Sequence, residues 1–201
     1  MQDAPDTRRL PRRSVLAGAV TLGLAAAATA AQSIAAPTAA AAEPRYTQNG
    51  WRFCVNCCEL FLVSFAGSVC PRTRGPHQVA GWTFRLTYNL ETGGTGEDSH
   101  TQANWRNCNR CAALFWAPGE WKACPLGGTH SYRPESGQFL LPFNLGQPPW
   151  TQNQWRFCLN CSVLFYNGYA YRGDTGLCPY RFLYGHFAAG YDFAIPVSAY
   201  T

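Results

Sequence analysis

Apolar and polar residues alternate in short runs along the chain from Tyr46 onward. In "WTFRLTYNL", Trp82, Phe84, Leu86, Tyr88 and Leu90 are interleaved with Thr83, Arg85, Thr87 and Asn89, and "GQFLLPFNL" from Gly137 and "YDFAIPV" from Tyr191 follow the same rhythm more loosely. A period of two puts every second side chain on one face of a strand. Gly and Pro punctuate these runs every few residues, and no apolar stripe of period 3.6 appears beyond the N-terminal segment. The pattern predicts an all-β chain of short strands.

The pattern also repeats. "TQNGWRFCVNC" begins at Thr47, "TQANWRNCNRC" at Thr101 and "TQNQWRFCLNC" at Thr151. Three units follow, over 47–90, 101–145 and 151–197, each opening QxxWRxCxxCxxLF, passing through a Cys-Pro pair and a histidine, and closing on one of the alternating runs. Each unit is expected to hold three or four strands: one at WRxC, a CxxC turn, one at LF, a loop pinned around Cys-Pro, and pairing around the His and the closing run. A unit of fifty residues is marginal alone, whereas about 150 residues bury roughly two-thirds of their unfolded surface. The expectation is one domain over 47–201 with pseudo-threefold, β-trefoil-like symmetry; the alternative is three tandem zinc-ribbon-like units. The QxxW start is similar to the QxW of ricin-type lectin trefoils but is one residue longer.

The N-terminal segment stands apart. "RRLPRRSVLAGAVTLGLAAAATAA" joins an arginine-rich start to a weakly apolar stretch ending in small residues, the build of an export signal. It is too short and too broken by Gly18, Thr21, Gly23 and Thr29 to span a bilayer. Arg12 and Arg13 before Ser14, Val15 and Leu16 resemble the twin-arginine export motif, with Pro11 and Ala17 departing from it; an ordinary secretory signal is the alternative. The reading is a signal and Ala-rich segment over 1–42, a linker over 43–46, and a secreted, extracellular protein. The resemblance implies export of a chain that folds, and takes up any cofactor, before it leaves the cytoplasm.

That matters for the ten cysteines, which in an exported chain would ordinarily be read as disulfides. Nine of them fall in register, three per unit, so pairing inside a unit leaves one over. Three of the four histidines are also in register, six to eight residues after the Cys-Pro cysteine. The sets are Cys54, Cys57, Cys70 and His77; Cys108, Cys111, Cys124 and His130; Cys158, Cys161, Cys178 and His186. Three thiolates and one imidazole are a ligand set that tetrahedral zinc favours in closed, structural sites. Structural zinc contributes about 10–16 kcal/mol of apparent binding energy to folding, against about 2–5 kcal/mol for a disulfide in a small secreted domain. Three structural zinc ions are the expected cofactors, with disulfides and merely hydrogen-bonded histidines as the alternative. The tenth cysteine, Cys58, is expected to be a small buried hydrophobe or an intermolecular bridge. Trp51, Trp105 and Trp155 are expected to wedge the core, and Arg52, Arg106 and Arg156 to satisfy nearby carbonyls.

The combination WRxCxxCxxLF, Cys-Pro, His and an aromatic-x-Leu strand resembles Trp/Cys repeats in secreted proteins of Streptomyces and related bacteria, over nearly the whole mature chain. That resemblance implies export and repeat architecture but brings no activity with it. Beyond residue 42 the chain carries 12 basic and 9 acidic residues, a balance that does not suggest nucleic acid. No GxSxG, HExxH or register-matched pair of carboxylates is present, so a non-enzymatic binding role is expected. The main reading is an adaptor joining other secreted proteins, with an extracellular, toxin-like complex as its setting. Repeat three has four more residues than the others between its second and third cysteines, in a Tyr/Gly-rich stretch suited to recognition. Tyr166, Tyr169, Tyr171, Tyr180 and Tyr184 are the candidate partner-binding residues. The alternative is a glycan or cell-wall binder that stacks sugars on Trp82, Trp116, Trp121 and Trp150.

The export reading has a direct test. Replacing Arg12 and Arg13 with Lys is expected to retain the protein in the cytoplasm, as fractionation would show; unchanged secretion would assign it to the ordinary secretory route.

Overall fold

The computed structural model describes residues 45–90, 97–119, 122–180 and 184–198. The signal segment over 1–42, the first half of the linker (43–44), and Trp121 lie outside them. The described residues belong to one compact unit, Ala41–Thr201, and among them regular structure is all-β apart from one 3-10 turn at Ala170–Arg172.

Each repeat contributes three strands. Repeat one supplies β1 (Tyr46–Cys54), β2 (Leu60–Leu62) and β3 (Val79–Asn89); repeat two, β4 (Thr101–Asn107), β5 (Leu114–Trp116) and β6 (Gln138–Pro142); repeat three, β7 (Thr151–Cys158), β8 (Leu164–Tyr166) and β9 (Ala188–Pro196). The first strand of each repeat is central, hydrogen-bonded antiparallel to the short second strand on one side and to the closing strand on the other. The register is the same throughout: Trp51 faces Leu62, Trp105 faces Trp116, and Trp155 faces Tyr166. A bulge precedes each tryptophan, at Gly50, Asn104 and Gln154, all with positive φ. The extra residue turns the tryptophan inward while the Thr-Gln start keeps its pairing.

The repeats are joined edge to edge. β3 pairs with β6, and bridges Phe143 to Phe193 and Phe84 to Val197 carry the ring on through β9 and back. The short strands form a second ring: Phe61 pairs with Ala113, Phe115 with Val163, and Glu59 with Phe165. One hydrogen bond recurs at each junction, Leu62 N–H to the Ala112 carbonyl (3.1 Å), Trp116 N–H to that of Ser162 (2.9 Å), and Tyr166 N–H to that of Cys58 (2.8 Å). The units therefore share a core and do not stand as separate beads.

That core is cyclic as well. Trp51, Trp105 and Trp155 are fully buried, and each meets a phenylalanine of another repeat edge to face: Trp51 with Phe139 (5.0 Å), Trp105 with Phe193 (5.2 Å), Trp155 with Phe84 (5.3 Å). Such pairs contribute about 0.5–1.5 kcal/mol each beyond their burial. Arg52, Arg106 and Arg156 donate to the carbonyls of Gly81, Ser136 and Gly190. Both repeated residue types serve as expected.

The extra residues of repeat three reach across the molecule. Gly176 (φ +74°) lies against the CxxC turn of repeat one, where a Cβ would fall 2.0 Å from the Cys57 carbonyl oxygen, and its own carbonyl accepts from Arg72 at 3.0 Å. Gly176→Ala is expected to destabilise the protein by about 1–3 kcal/mol through overpacking, beyond the strain of its left-handed backbone. Gly173 has a similar φ (+80°) but open space around it. In thermal melts, Gly173→Ala should therefore cost clearly less than Gly176→Ala.

Candidate metal centres

Each centre is assembled from three pieces of backbone. The first piece is the turn after the central strand. Cys58, Ala112 and Ser162 donate backbone N–H to the carbonyls of Cys54, Cys108 and Cys158 at 2.8–3.0 Å, and their φ values of 63°, 70° and 65° swing the chain back into the short strand. Both thiols of the CxxC then point to one side. The second piece is the Cys-Pro loop, held where Cys70, Cys124 and Cys178 donate N–H to the carbonyls of Gly75, Gly128 and Tyr184.

The third piece carries the histidine. The residue after it is tied to the CxxC turn: Val55 N–H bonds the Gln78 carbonyl, Asn109 that of Ser131, and Leu159 that of Phe187, at 2.9–3.0 Å. Each imidazole also stacks on the phenylalanine of its own LF pair, His77 on Phe61 (4.4 Å), His130 on Phe115 (5.0 Å) and His186 on Phe165 (4.7 Å). Position is set by this pinning rather than by counting from the Cys-Pro pair, so six- to eight-residue spacings deliver the same geometry.

The twelve expected ligands come together as three buried clusters. Within each, the ligand atoms all lie within 4.8 Å of one another. Sγ atoms of Cys54 and Cys70, and of Cys158 and Cys178, are 3.9 Å apart. The second CxxC sulfur stands 3.4 Å from Nδ1 of His77, 3.5 Å from that of His130, and 3.4 Å from that of His186. With Zn–S near 2.3 Å and Zn–N near 2.05 Å, a tetrahedron has S···S edges of about 3.8 Å and S···N edges of about 3.6 Å. The spacing fits zinc, and all ten cysteines are free, without disulfides.

The electrostatics fit as well. Hydrogen bonds from neighbouring cysteines hold Cys70, Cys108 and Cys158 far below the ordinary thiol value, while burial pushes Cys57, Cys111 and Cys161 well above it. Burial would depress the imidazoles, but hydrogen bonding with the cysteine sulfurs outweighs it and raises His77 to about 10, His130 to about 9 and His186 to about 10. Packed thiols without a cation must share one negative charge; a dication stabilises all three as thiolates and takes the imidazole neutral. Zinc would thus be held by three Sγ and Nδ1 in each repeat, with four protein ligands filling the tetrahedron.

The remaining candidates separate. Cys58 is fully buried, and burial raises its thiol to about 12, which fits an inert small hydrophobe. Tyr166 and Tyr169 are half-buried and pack against the core, meeting each other at 5.1 Å, with Arg172 lying 3.9 Å over the Tyr169 ring. Tyr171 is 84% exposed, Tyr180 57% and Tyr184 64%. Trp116 packs on the core, whereas Trp82 and Trp150 are exposed and line one groove of about 770 Å³ with Gln147, Pro148, Thr151 and Ser198. Trp82 and Trp150 were among the candidate sugar-stacking residues, but their meeting in one groove was not read from sequence, nor was the fully buried Glu59 singled out as a site; the signal for Glu59 was a charge where the other repeats have Ala113 and Val163. No protein-family model, curated protein or solved structure matches this chain.

Protein purified from the cytoplasm is expected to carry about three zinc ions per chain by elemental analysis. Cys108→Ser should lose one of them and unfold its repeat, whereas Cys58→Ser should leave metal content unchanged.

Proposed function

We propose that this is an exported, non-enzymatic adaptor whose zinc-stapled scaffold offers a protein-docking face on repeat three. The observation that carries the reading is the break in symmetry at that repeat. Leu159 and Phe187, joined backbone to backbone, are 45% and 61% exposed. The residues matching Phe187 are the polar Gln78 and Ser131, while those matching Leu159 are Val55 and Asn109. Tyr180 and Tyr184 are exposed on the segment leading to Phe187, and among the described residues the stretches from Cys-Pro to His in the other two repeats carry no exposed aromatic. Large, rigid aromatics of this kind supply most of the energy at protein interfaces. Tyr166 and Tyr169 pack against the core and each other, and Tyr171 is exposed.

A catalytic zinc needs an open coordination position. Four protein ligands converge in each cluster, which supports structural metal. The two rings of inter-repeat pairing support a trefoil-like reading of the threefold arrangement. Kinship to secreted Trp/Cys repeat proteins and a place in an extracellular complex belong to the same proposal.

The Trp82–Trp150 groove favours a second reading, a glycan site. Its polar lining comes from Gln147, Thr151 and Ser198, and among the described residues no charged side chain lines it, so a neutral, amphipathic ligand such as an oligosaccharide would suit it.

One comparison separates the two. Changing Tyr180, Tyr184 and Phe187 together to Ala is expected to abolish co-purification of a defined secreted protein from native culture supernatant, while leaving zinc content and melting behaviour unchanged. Trp82→Ala with Trp150→Ala should leave that partner bound. Loss of the partner only in the tryptophan variant, or no protein partner together with saturable binding on a glycan array, would replace the adaptor with the lectin.

A further inference from the structure

The three metal centres share ligands and geometry but differ in what holds each histidine from behind. With Nδ1 facing the metal, a neutral imidazole carries its proton on Nε2, which must donate. His186 Nε2 donates across the repeat boundary to the Cys57 carbonyl at 3.0 Å, and His77 Nε2 donates in the same way to that of Cys111 at 3.2 Å. His130 Nε2, equally buried, makes no hydrogen bond.

Glu59 adds a second difference. It is fully buried, both of its carboxyl oxygens lack a hydrogen-bond partner, and Oε1 lies 3.7 Å from His186 Nε2. Its place in the ring is repeated. Glu59 pairs with Phe165, which stacks on His186; Ala113 pairs with Phe61, which stacks on His77; Val163 pairs with Phe115, which stacks on His130. Beside two of the histidines this position is a methyl or an isopropyl group, and beside the third it is a carboxyl. At 3.7 Å, with the single Nε2 proton already given to the Cys57 carbonyl, this carboxyl is a polar neighbour at the edge of the His186 ring and not a second acceptor. Partners behind a metal-bound histidine fix its ring and strengthen it as a ligand, and losing one commonly costs 10- to 100-fold in metal affinity.

We propose that the three zinc centres are ranked: repeat three, backed by the Cys57 carbonyl and Glu59, holds metal most tightly, repeat one is next, and repeat two is weakest, with Glu59 the positioning residue that acts through His186. The inference rests on the zinc assignment. Solvent access alone predicts a different order, because His77 is the most exposed of the three histidines at 8% and His130 the least at 0%. On that basis repeat one would empty first.

The full chain, loaded with zinc and confirmed at three ions by native mass spectrometry, is titrated with a chelator, alkylated with N-ethylmaleimide and mapped by peptide mass spectrometry. That stoichiometry check fails on its own if the zinc assignment is wrong, so the two failures are distinguishable. Cys108, Cys111 and Cys124 are expected to become alkylated first, then Cys54, Cys57 and Cys70, and Cys158, Cys161 and Cys178 last. Glu59→Leu should lower chelator resistance of repeat three by about 10-fold, to the rank of repeat one, with repeat two unmoved. Glu59→Gln, which keeps a polar group beside His186, should leave repeat three last. Simultaneous alkylation of all three sets in the wild type, repeat one opening first, or Glu59→Leu weakening all three alike would overturn the proposal. The wild-type order is decisive even if Glu59→Leu does not fold.

Discussion

A tetrahedral Cys₃His cluster in each repeat is the constraint from which the rest follows. Fifty residues of short strands cannot bury enough apolar surface to offset the entropy of ordering their loops. In each repeat the CxxC turn, the Cys-Pro loop and the histidine segment are pieces of irregular chain, and four side chains converging on one point fix all three at once. Three soft thiolates and one imidazole suit zinc, and the strand scaffold brings them together at tetrahedral spacing. The β-structure then has only to align three such units.

Alignment is achieved by reciprocity. Each buried tryptophan packs on a phenylalanine of a different repeat, each short strand bonds the turn of the next, and two of the three histidines reach across a boundary to the neighbouring CxxC carbonyl. The metal centres are thus part of the inter-repeat joints. A repeat that lost its cluster would also remove a backbone partner from its neighbour, so local stability in one unit is tied to order in the next.

Much of this was legible because repetition removes ambiguity. A lone CxxC has several readings, but three in register, each with a third cysteine and a histidine, leave one coordination chemistry that uses them all. The tryptophans and arginines were legible for the same reason. The spacing from cysteine to histidine was not a sound guide, because backbone bonds such as Asn109 to Ser131 place the histidine by register. Tyr166 occupies the β8 position that Leu62 and Trp116 fill in the other repeats, so its half-buried state was already implied by alignment. The groove shared by Trp82 and Trp150 was hidden, since nothing local says that a closing strand of repeat one will meet the linker before repeat three.

Where the three copies differ, the differences are of two kinds. Some are absorbed by the scaffold: the extra residues of repeat three bring Gly176 down on the repeat-one turn, and Arg72 fastens it there. Others are presented to solvent, as with Phe187 in place of Gln78 or Ser131. Residues of the first kind fix where those of the second kind point, because the same loop that docks on repeat one continues into the stretch carrying Tyr180 and Tyr184. On the adaptor reading, exposed aromatics next to such anchored residues would lose little conformational entropy on binding. A threefold scaffold thereby acquires one distinctive face without giving up the symmetry that stabilises it.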